Sequence, residues 1–146
     1  MNMRLLANTI KDGFIKALKT TATLMKVVLP VYAIVVLLKY SPVMPFLQNF
    51  FQPSMSIFNL PGEAVVPLIT GVFTDEYGTI AATRQFDFDT LQITTIAMIC
   101  LVFHSIPVEY ALSRKIGLPA GKLVLYRLVM AIIIGLITAW IGGIFL

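Results

Sequence analysis

The sequence predicts an all-α, polytopic membrane protein, and three observations lead to this fold class. Of its 146 residues, 58% are hydrophobic and only 12% are charged, whereas a soluble domain has about 45–50% and about 25%. Two charge-free runs, 90–108 and 128–146, are each 19 residues long, or about 28 Å of helix against a hydrocarbon core of about 30 Å. Basic residues flank these runs, as they do at membrane interfaces. This composition argues against a soluble globular enzyme and excludes a disordered chain.

The N-terminal part is predicted to form an amphipathic helix within a single domain, 1–146. Over residues 4–26, apolar side chains repeat at helical spacing on one side and charged ones lie on the other. A cationic helix of this kind lies in the lipid headgroup plane or packs on its own protein, and both alternatives stay open. We expect an interfacial helix over 1–26 and a membrane-embedded part over 27–146. The lysine-rich start favours a multi-pass protein of the cell membrane with a cytoplasmic N-terminus.

The next part of the chain is predicted to hold one crossing and one hairpin. A first span is expected over 24–40. From 41 to 71 five prolines interrupt an apolar stretch, and proline in a helix interior removes a backbone donor and breaks the helix. We therefore predict two half-helices, 43–59 and 62–73, folded into a re-entrant helical hairpin with its tip at 59–62. A surface loop with short interfacial helices is the alternative.

The second half is predicted to hold a polar centre and two further spans. Residues 74–90 carry five charged side chains, and we expect a short helix over 77–85. The acidic residues here are typical of a solvated loop, or of a mouth that attracts cations. The run 90–108 is the next span, and the last one is expected to begin near Pro119, which follows the helix-ending Gly117.

The chain matches itself at an offset of 46 residues. In both copies a proline follows an apolar stretch, a glutamate stands two places later, and a short helix is expected to end at glycine. The matched positions are Leu60, Pro61, Glu63 and Gly71 in one copy, and Ile106, Pro107, Glu109 and Gly117 in the other. A helix that starts after such a proline exposes unpaired N–H groups and the positive end of its dipole. Paired breaks point to a transporter's midplane site, although each glutamate alternatively only caps its own helix.

Three segments resemble the nucleoside-recognition, or gate, family: NLPGEAVVPLITG from Asn59, IPVE from Ile106 and RKIG from Arg114. This family includes the gate regions of bacterial ferrous-iron transporters and of concentrative nucleoside transporters, and the paired spore maturation membrane proteins. The resemblance implies a helical membrane protein with two re-entrant hairpins, equivalent to half of an inverted-repeat transporter. A homo-oligomer, or a homologous gate subunit as partner, is then needed to complete a pathway.

By the same resemblance, the hairpin tips bind a small polar solute, nucleoside-like, or an ion. The candidate substrate-binding residues are Asn59, Glu63 and Thr70 around the first tip, and His104, Ser105 and Glu109 around the second. All of these except Ser105 are expected to face a cavity at the membrane midplane, where alternating access moves the solute. No cofactor is expected, and the partners are the lipid bilayer, the solute and another gate subunit.

Other functions are weighed against this one. A non-transporting membrane scaffold or accessory protein is the second hypothesis, and a ferrous-iron or other divalent-metal gate is the third. His104, Glu109 and Cys100 would need a ligand from a partner chain to bind a metal, so a buried polar pair is favoured. Enzyme chemistry is not expected, because Ser105 and His104 lack a third member of a catalytic triad. The basic residues are not clustered as in a nucleic-acid-binding protein.

Overall fold

A computed structural model describes residues 3–145 of the chain, and the regular structure in this range is helical. The helices are α1 (Met3–Lys39), α2 (Val43–Ser56), a 3-10 turn (Gly62–Ala64), α3 (Val65–Phe73), α4 (Glu76–Thr83), α5 (Thr90–Val102), α6 (Ile106–Lys115) and α7 (Ala120–Phe145). In the described part, three segments are long and apolar enough to cross a membrane: Asn8–Lys39, Thr90–Lys115 and Ala120–Gly142. The predicted all-α class with several apolar spans is confirmed.

Helix α1 runs through Pro30 without interruption for 37 residues. The segment predicted to lie at the interface and the first predicted span therefore form one helix. Its C-terminal end packs on the rest of the protein, where Val35 is buried, and Lys39 donates to the carbonyl of Gln85 and lies 5.4 Å from the ring centroid of Phe86. The side chains from 8 to 23 are all exposed.

Helix α2 and the segment after it form a helical hairpin that turns at 57–61. Gly62 packs against α2 so closely that a Cβ atom there would lie within 3.0 Å of three backbone atoms of Gln48. The backbone N–H of Gly62 also donates to Oε1 of Gln52 at 2.7 Å. Only a glycine allows the backbone at position 62 to lie this close to α2. The Gln52 side chain supplies the acceptor for an N–H group that the helix start leaves unpaired. The observed helices agree with the predicted half-helices, except that α2 ends at Ser56.

Helices α5 and α6 both run antiparallel to α7. The contacts that show this are Leu91 with Gly142, Ile99 with Gly135 and Glu109 with Arg127. In these contact pairs the residue number on α7 decreases while the residue number on α5 and α6 increases. Helix α6 therefore continues in the direction of α5. The two form one interrupted candidate span, Thr90–Lys115, with its break at 103–105. A second re-entrant hairpin, as predicted here, is therefore not confirmed.

The glycines matched in the internal repeat have different roles. Helix α3 continues past Gly71 to Phe73, so the predicted helix end at this glycine is wrong. A Cβ atom at Gly71 would overlap Oγ1 of Thr79 and lie 3.0 Å from Sγ of Cys100, which means that close packing of α3, α4 and α5 requires glycine. Gly117 follows α6 with a φ of 81° and open space around it, and here the predicted helix end is confirmed.

Two aspartates of the polar centre are the N-cap residues of helices. The Asp75 carboxylate accepts a hydrogen bond from the N–H of Gly78 at 2.9 Å at the start of α4. Asp89 and Gln92 form a reciprocal capping box at the start of α5, which satisfies two otherwise unpaired N–H groups. The short helix predicted over 77–85 is α4, and these two acids have structural roles in addition to their charge.

Candidate functional site

The two breaks share an unusual backbone conformation. Asn59 has a φ of 53° and Ser105 a φ of 50°, and they are the described non-glycine residues with positive φ. They are also 46 residues apart, at the offset of the internal repeat. A left-handed conformation costs a residue with a side chain about 1–2 kcal/mol, although asparagine tolerates it better than most. The internal repeat therefore extends from the sequence to the backbone.

At the first break, the turn is attached to the C-terminal half of α7. The side-chain amide of Asn59 donates to the carbonyl of Ala139 at 3.1 Å, and the indole N–H of Trp140 donates to the carbonyl of Ile57 at 3.3 Å. Glu63 accepts a hydrogen bond from the Gln48 amide at 2.7 Å, so its carboxylate is held against α2. These hydrogen bonds supply donors to the Ala139 carbonyl on α7 and, at the hairpin, to the Ile57 carbonyl and the Glu63 carboxylate.

At the second break, Arg127 of α7 contacts both half-helices. Its Nε donates to the carbonyl of Val102, the last residue of α5, at 2.6 Å, and a guanidinium nitrogen pairs with the carboxylate of Glu109 in the first turn of α6. Charged side chains within membrane spans are rare and usually paired. Arg127 therefore joins the exposed carbonyl end of one helix to the acidic start of the next.

The same break is also attached to α3 and α4. The backbone N–H of Ser105 donates to the carbonyl of Gly71 at 3.0 Å, and its hydroxyl donates to the carbonyl of Thr74. These carbonyls lie at the end of α3, where the helix itself supplies no donor. His104 lies between the carbonyl of Cys100, 2.9 Å from Nδ1, and the carboxylate of Glu76, 3.0 Å from Nε2.

The six predicted site residues fall into two groups at different levels of α7. Asn59 and Glu63 belong to the first break, and His104, Ser105 and Glu109 to the second, while the Thr70 hydroxyl donates to the carbonyl of Val66 inside α3. The α7 residues that contact the two groups, Ala139 and Arg127, are 12 positions apart, or about 18 Å of helix. One chain thus presents two separate polar places.

A groove of about 640 Å³ lies beside the second break, between α4, residues 84–88 and α5. Its walls combine apolar and polar side chains, among them Phe86, Phe88, Ile96, Glu76, Arg84 and Asp87. Sites for small molecules have this order of volume and this mixture of apolar walls with a few polar groups. Because Glu76 lines the groove and also contacts His104, the groove and the break share a side chain.

The sequence analysis did not identify four residues of these two breaks, namely Arg127, Gln48, Gln52 and Glu76. Arg127 was grouped with the basic residues that flank the last span, although a charge inside an apolar helix signals a buried partner. Gln48 and Gln52 lie one helical turn apart in an apolar segment, a spacing that places both on one face. For Glu76 no signal was available, because its contact with His104 joins positions 28 residues apart.

Among the described residues, no group of three or more His, Cys, Asp or Glu side chains is placed to hold a metal ion. His104 and Glu76 are in contact, but Cys100 contributes only its carbonyl to His104, and Glu109 pairs with Arg127 instead. Within residues 3–145, the side chains considered above as metal ligands are therefore not brought together in one place.

Comparisons with known proteins agree with the resemblance seen in the motifs. A family model named Gate and described as nucleoside recognition matches residues 21–117. A relative from Bacillus subtilis (strain 168), "Uncharacterized membrane protein YvoD", is 34% identical over 135 residues, which cover 90% of this chain and 43% of the relative. The chain thus spans less than half of the length of this relative. No solved structure matches the chain.

Proposed function

The chain belongs to the Gate family, described as nucleoside recognition, and from this premise we propose that it is a transport subunit for a small polar solute. One observation carries the proposal. Two helices are interrupted within apolar segments, and each break has a left-handed residue followed by proline and then glutamate at the same spacing. Discontinuous helices of this kind place backbone dipoles and polar side chains at the solute site of many transporters.

The groove beside α4 and α5 is the proposed place of the solute. Its volume of about 640 Å³ suits a molecule of one or two rings. Phe86 and Phe88 offer aromatic surface, while Glu76 and Asp87 offer acceptors for hydroxyl or amino groups. A nucleoside-like solute has both kinds of surface. The groove adjoins the second break, so movement of that break would change its shape.

We further propose that two units form the complete pathway, as a homo-oligomer or with a homologous gate subunit. The two polar places of one chain lie about 18 Å apart along α7, and this separation supports a site completed by a second chain. The length of the Bacillus relative also supports it, because more than half of that protein lies outside the aligned region. The first hairpin is then re-entrant, and the breaks move in alternating access.

Uptake by the purified protein in liposomes tests the proposal. A panel of labelled nucleosides and other small polar solutes is offered to the wild type and to Ala97→Phe, which places a ring in the groove from an exposed position on α5. Met98→Phe, on the neighbouring exposed position outside the groove lining, is the matched control. We expect at least about a tenfold loss of uptake in the first variant only, since the ring occupies the volume that the solute needs.

Two results would contradict the proposal: no uptake of any solute by folded wild type, or equal uptake by both phenylalanine variants. Glu63→Gln and Glu109→Gln test the carboxylates at the two breaks. Full activity of both variants would remove these carboxylates from the mechanism.

One observation favours the second candidate function, a non-transporting scaffold. Each of the six predicted site side chains has a partner within the chain, as expected of packing elements. Thiol labelling separates the two functions, because Cys100 is buried, with 2% of its surface exposed, and can be replaced by alanine. In that background, labelling of Asn59→Cys by a water-borne reagent indicates a pathway, whereas protection of Asn59→Cys and Glu63→Cys supports the scaffold.

A further inference from the structure

His104 is held between a carbonyl and a carboxylate. Its Nδ1 lies 2.9 Å from the Cys100 carbonyl oxygen, and its Nε2 lies 3.0 Å from Oε1 of Glu76. Because a carbonyl oxygen only accepts hydrogen bonds, Nδ1 must carry a hydrogen. A neutral imidazole then has a bare lone pair on Nε2, directed at a carboxylate oxygen that also only accepts. The contact with Glu76 is therefore complete only when one further proton lies between the two atoms.

The charges around His104 also indicate one additional proton between His104 and Glu76. Arg127 on α7 and Glu109 on α6 form an ion pair beside His104, and Glu76 on α4 acts electrostatically on Arg127. Two carboxylates and one guanidinium leave one negative charge without compensation. Cys100 on α5 is a buried free cysteine, and a thiol without a nearby cation adds no charge at neutral pH.

Arg84 and Asp87, which line the groove together with Glu76, have opposite charges and leave this count unchanged. Asp75, next to Glu76, uses its carboxylate to cap α4, and α3 has no charged side chain. One proton on the contact between His104 and Glu76 therefore makes the cluster neutral.

We propose that His104 and Glu76 form a binding site for one exchangeable proton, which fastens the second break to α4. The proton lies in the contact between Nε2 of His104 and Oε1 of Glu76, because Nδ1 already donates its own hydrogen to the Cys100 carbonyl. When this proton is lost, the lone pairs of Nε2 and of the Glu76 carboxylate repel each other. The contact then opens, and residues 103–105 separate from α4, which forms one wall of the groove. As an extension that rests on the proposed function, this proton is the ion whose movement is coupled to that of the solute.

The single histidine of the chain makes the site directly measurable. With ¹⁵N-labelled histidine in lipid nanodiscs at about pH 7, we expect wild-type His104 to carry hydrogen on both nitrogens. Glu76→Gln keeps the Nδ1 hydrogen and lowers the ratio of protonated to neutral imidazole by about tenfold or more, the usual effect of losing an adjacent opposite charge. Glu109→Gln, which removes the other carboxylate, lowers the ratio in the same direction.

Asp87→Asn is the matched control, because it removes an exposed carboxylate from the same groove without touching His104. The ratio should stay at the wild-type value. A wild-type histidine with hydrogen on one nitrogen only, or the same ratio in wild type, Glu76→Gln and Glu109→Gln, would overturn the proton site. Either result is independent of whether the protein transports anything, and Glu109→Gln serves if Glu76→Gln does not fold.

Liposome uptake tests the coupling separately. An inward proton gradient should accelerate solute uptake by the wild type, whereas the ratio of uptake with and without the gradient should be close to one for Glu76→Gln, whatever the basal rate of that variant. If the wild type takes up solute at the same rate with and without the gradient, proton coupling is overturned, even when His104 is protonated. A protonated His104 without uptake of any solute would support the proton site and contradict the proposed function.

Discussion

At the first break the chain turns back along α2, whereas at the second it keeps its direction along α7. Both breaks begin with a left-handed residue, Asn59 or Ser105, and both have proline and glutamate at the same distances. What differs is the attachment. Gly62 lies on the backbone of Gln48, while Arg127 reaches in from α7 to hold the second break. The local motif thus interrupts the helix, and contacts from other elements decide where the chain goes next.

The sharpest test of this difference uses the equivalent positions 62 and 108. We expect Gly62→Ala to destabilise the protein by about 3 kcal/mol or to prevent folding, because the new Cβ would overlap the Gln48 backbone. Val108 is 66% exposed, so Val108→Ala should change stability by less than about 0.5 kcal/mol. Chemical unfolding in detergent micelles, followed by circular dichroism, measures both. Equal losses would mean that the two breaks depend on the same packing.

The paired glycines 71 and 117 provide the next largest effect. Gly71→Ala introduces a Cβ against the buried side chains of Thr79 and Cys100, and we expect a loss of about 2 kcal/mol from overpacking. Gly117→Ala meets no neighbour but forces alanine to a φ of 81°, which costs about 1 kcal/mol. The free energies of unfolding of the two variants test this order. The reverse order would contradict the assignment of close packing to position 71.

Removal of the polar attachments should affect the second break more than the first. Arg127→Met leaves Glu109 and the Val102 carbonyl without their partner. We expect a loss of about 2 kcal/mol, less than for a fully buried pair because the Glu109 side chain is 39% exposed. Gln48→Met removes one hydrogen bond from Glu63 and should cost about 1 kcal/mol.

A double variant provides the control for this prediction. Arg127→Met combined with Glu109→Gln should lose less stability than the single Arg127→Met change, because no carboxylate is left unpaired. A double variant whose loss equals the sum of the single losses would show that the ion pair does not hold the break.

The smallest expected effect concerns the left-handed residues themselves. At Asn59 and at Ser105, the alanine variant should be less stable than the glycine variant by about 1 kcal/mol, the penalty for a Cβ atom at positive φ. Both variants lack the side-chain hydrogen bond, so the difference isolates the backbone. Thermal unfolding of the four proteins gives the two differences. A difference at only one position would mean that the breaks are not equivalent in conformation.

The helix ends were predictable because proline and glycine act locally. The half-helix starting at 62, the end of α6 before Gly117 and the start of α7 after Pro119 follow from the loss of a backbone donor or from positive φ. The union of the helix expected over 4–26 and the span expected over 24–40 into one α1 was not predicted, because Pro30 is compatible with the first turn of a new helix as well as with the interior of a membrane helix.

The site was predictable only in part, because proline fixes the local break but not the contacts that the break makes with other helices. Asn59 and Ser105 stand next to the prolines, so their places at the breaks could be expected. The partners at the two breaks come from the end of α3, from α4 and from α7, and nothing in the spacing of Glu76 or Arg127 fixes which break they contact. The separation of the two breaks along α7 likewise depends on the antiparallel register of α5 and α7, which glycines at 135 and 142 establish through contact.

Helix α7 holds the carbonyl of Val102 near one end and, through Ala139 and Trp140, the turn of the first hairpin near the other. A rigid rod fastened at both points cannot slide or tilt without straining one fastening or the other. A displacement of one break is therefore transmitted by α7 to the other, whose contact lies 12 residues away on the same helix, or about 18 Å.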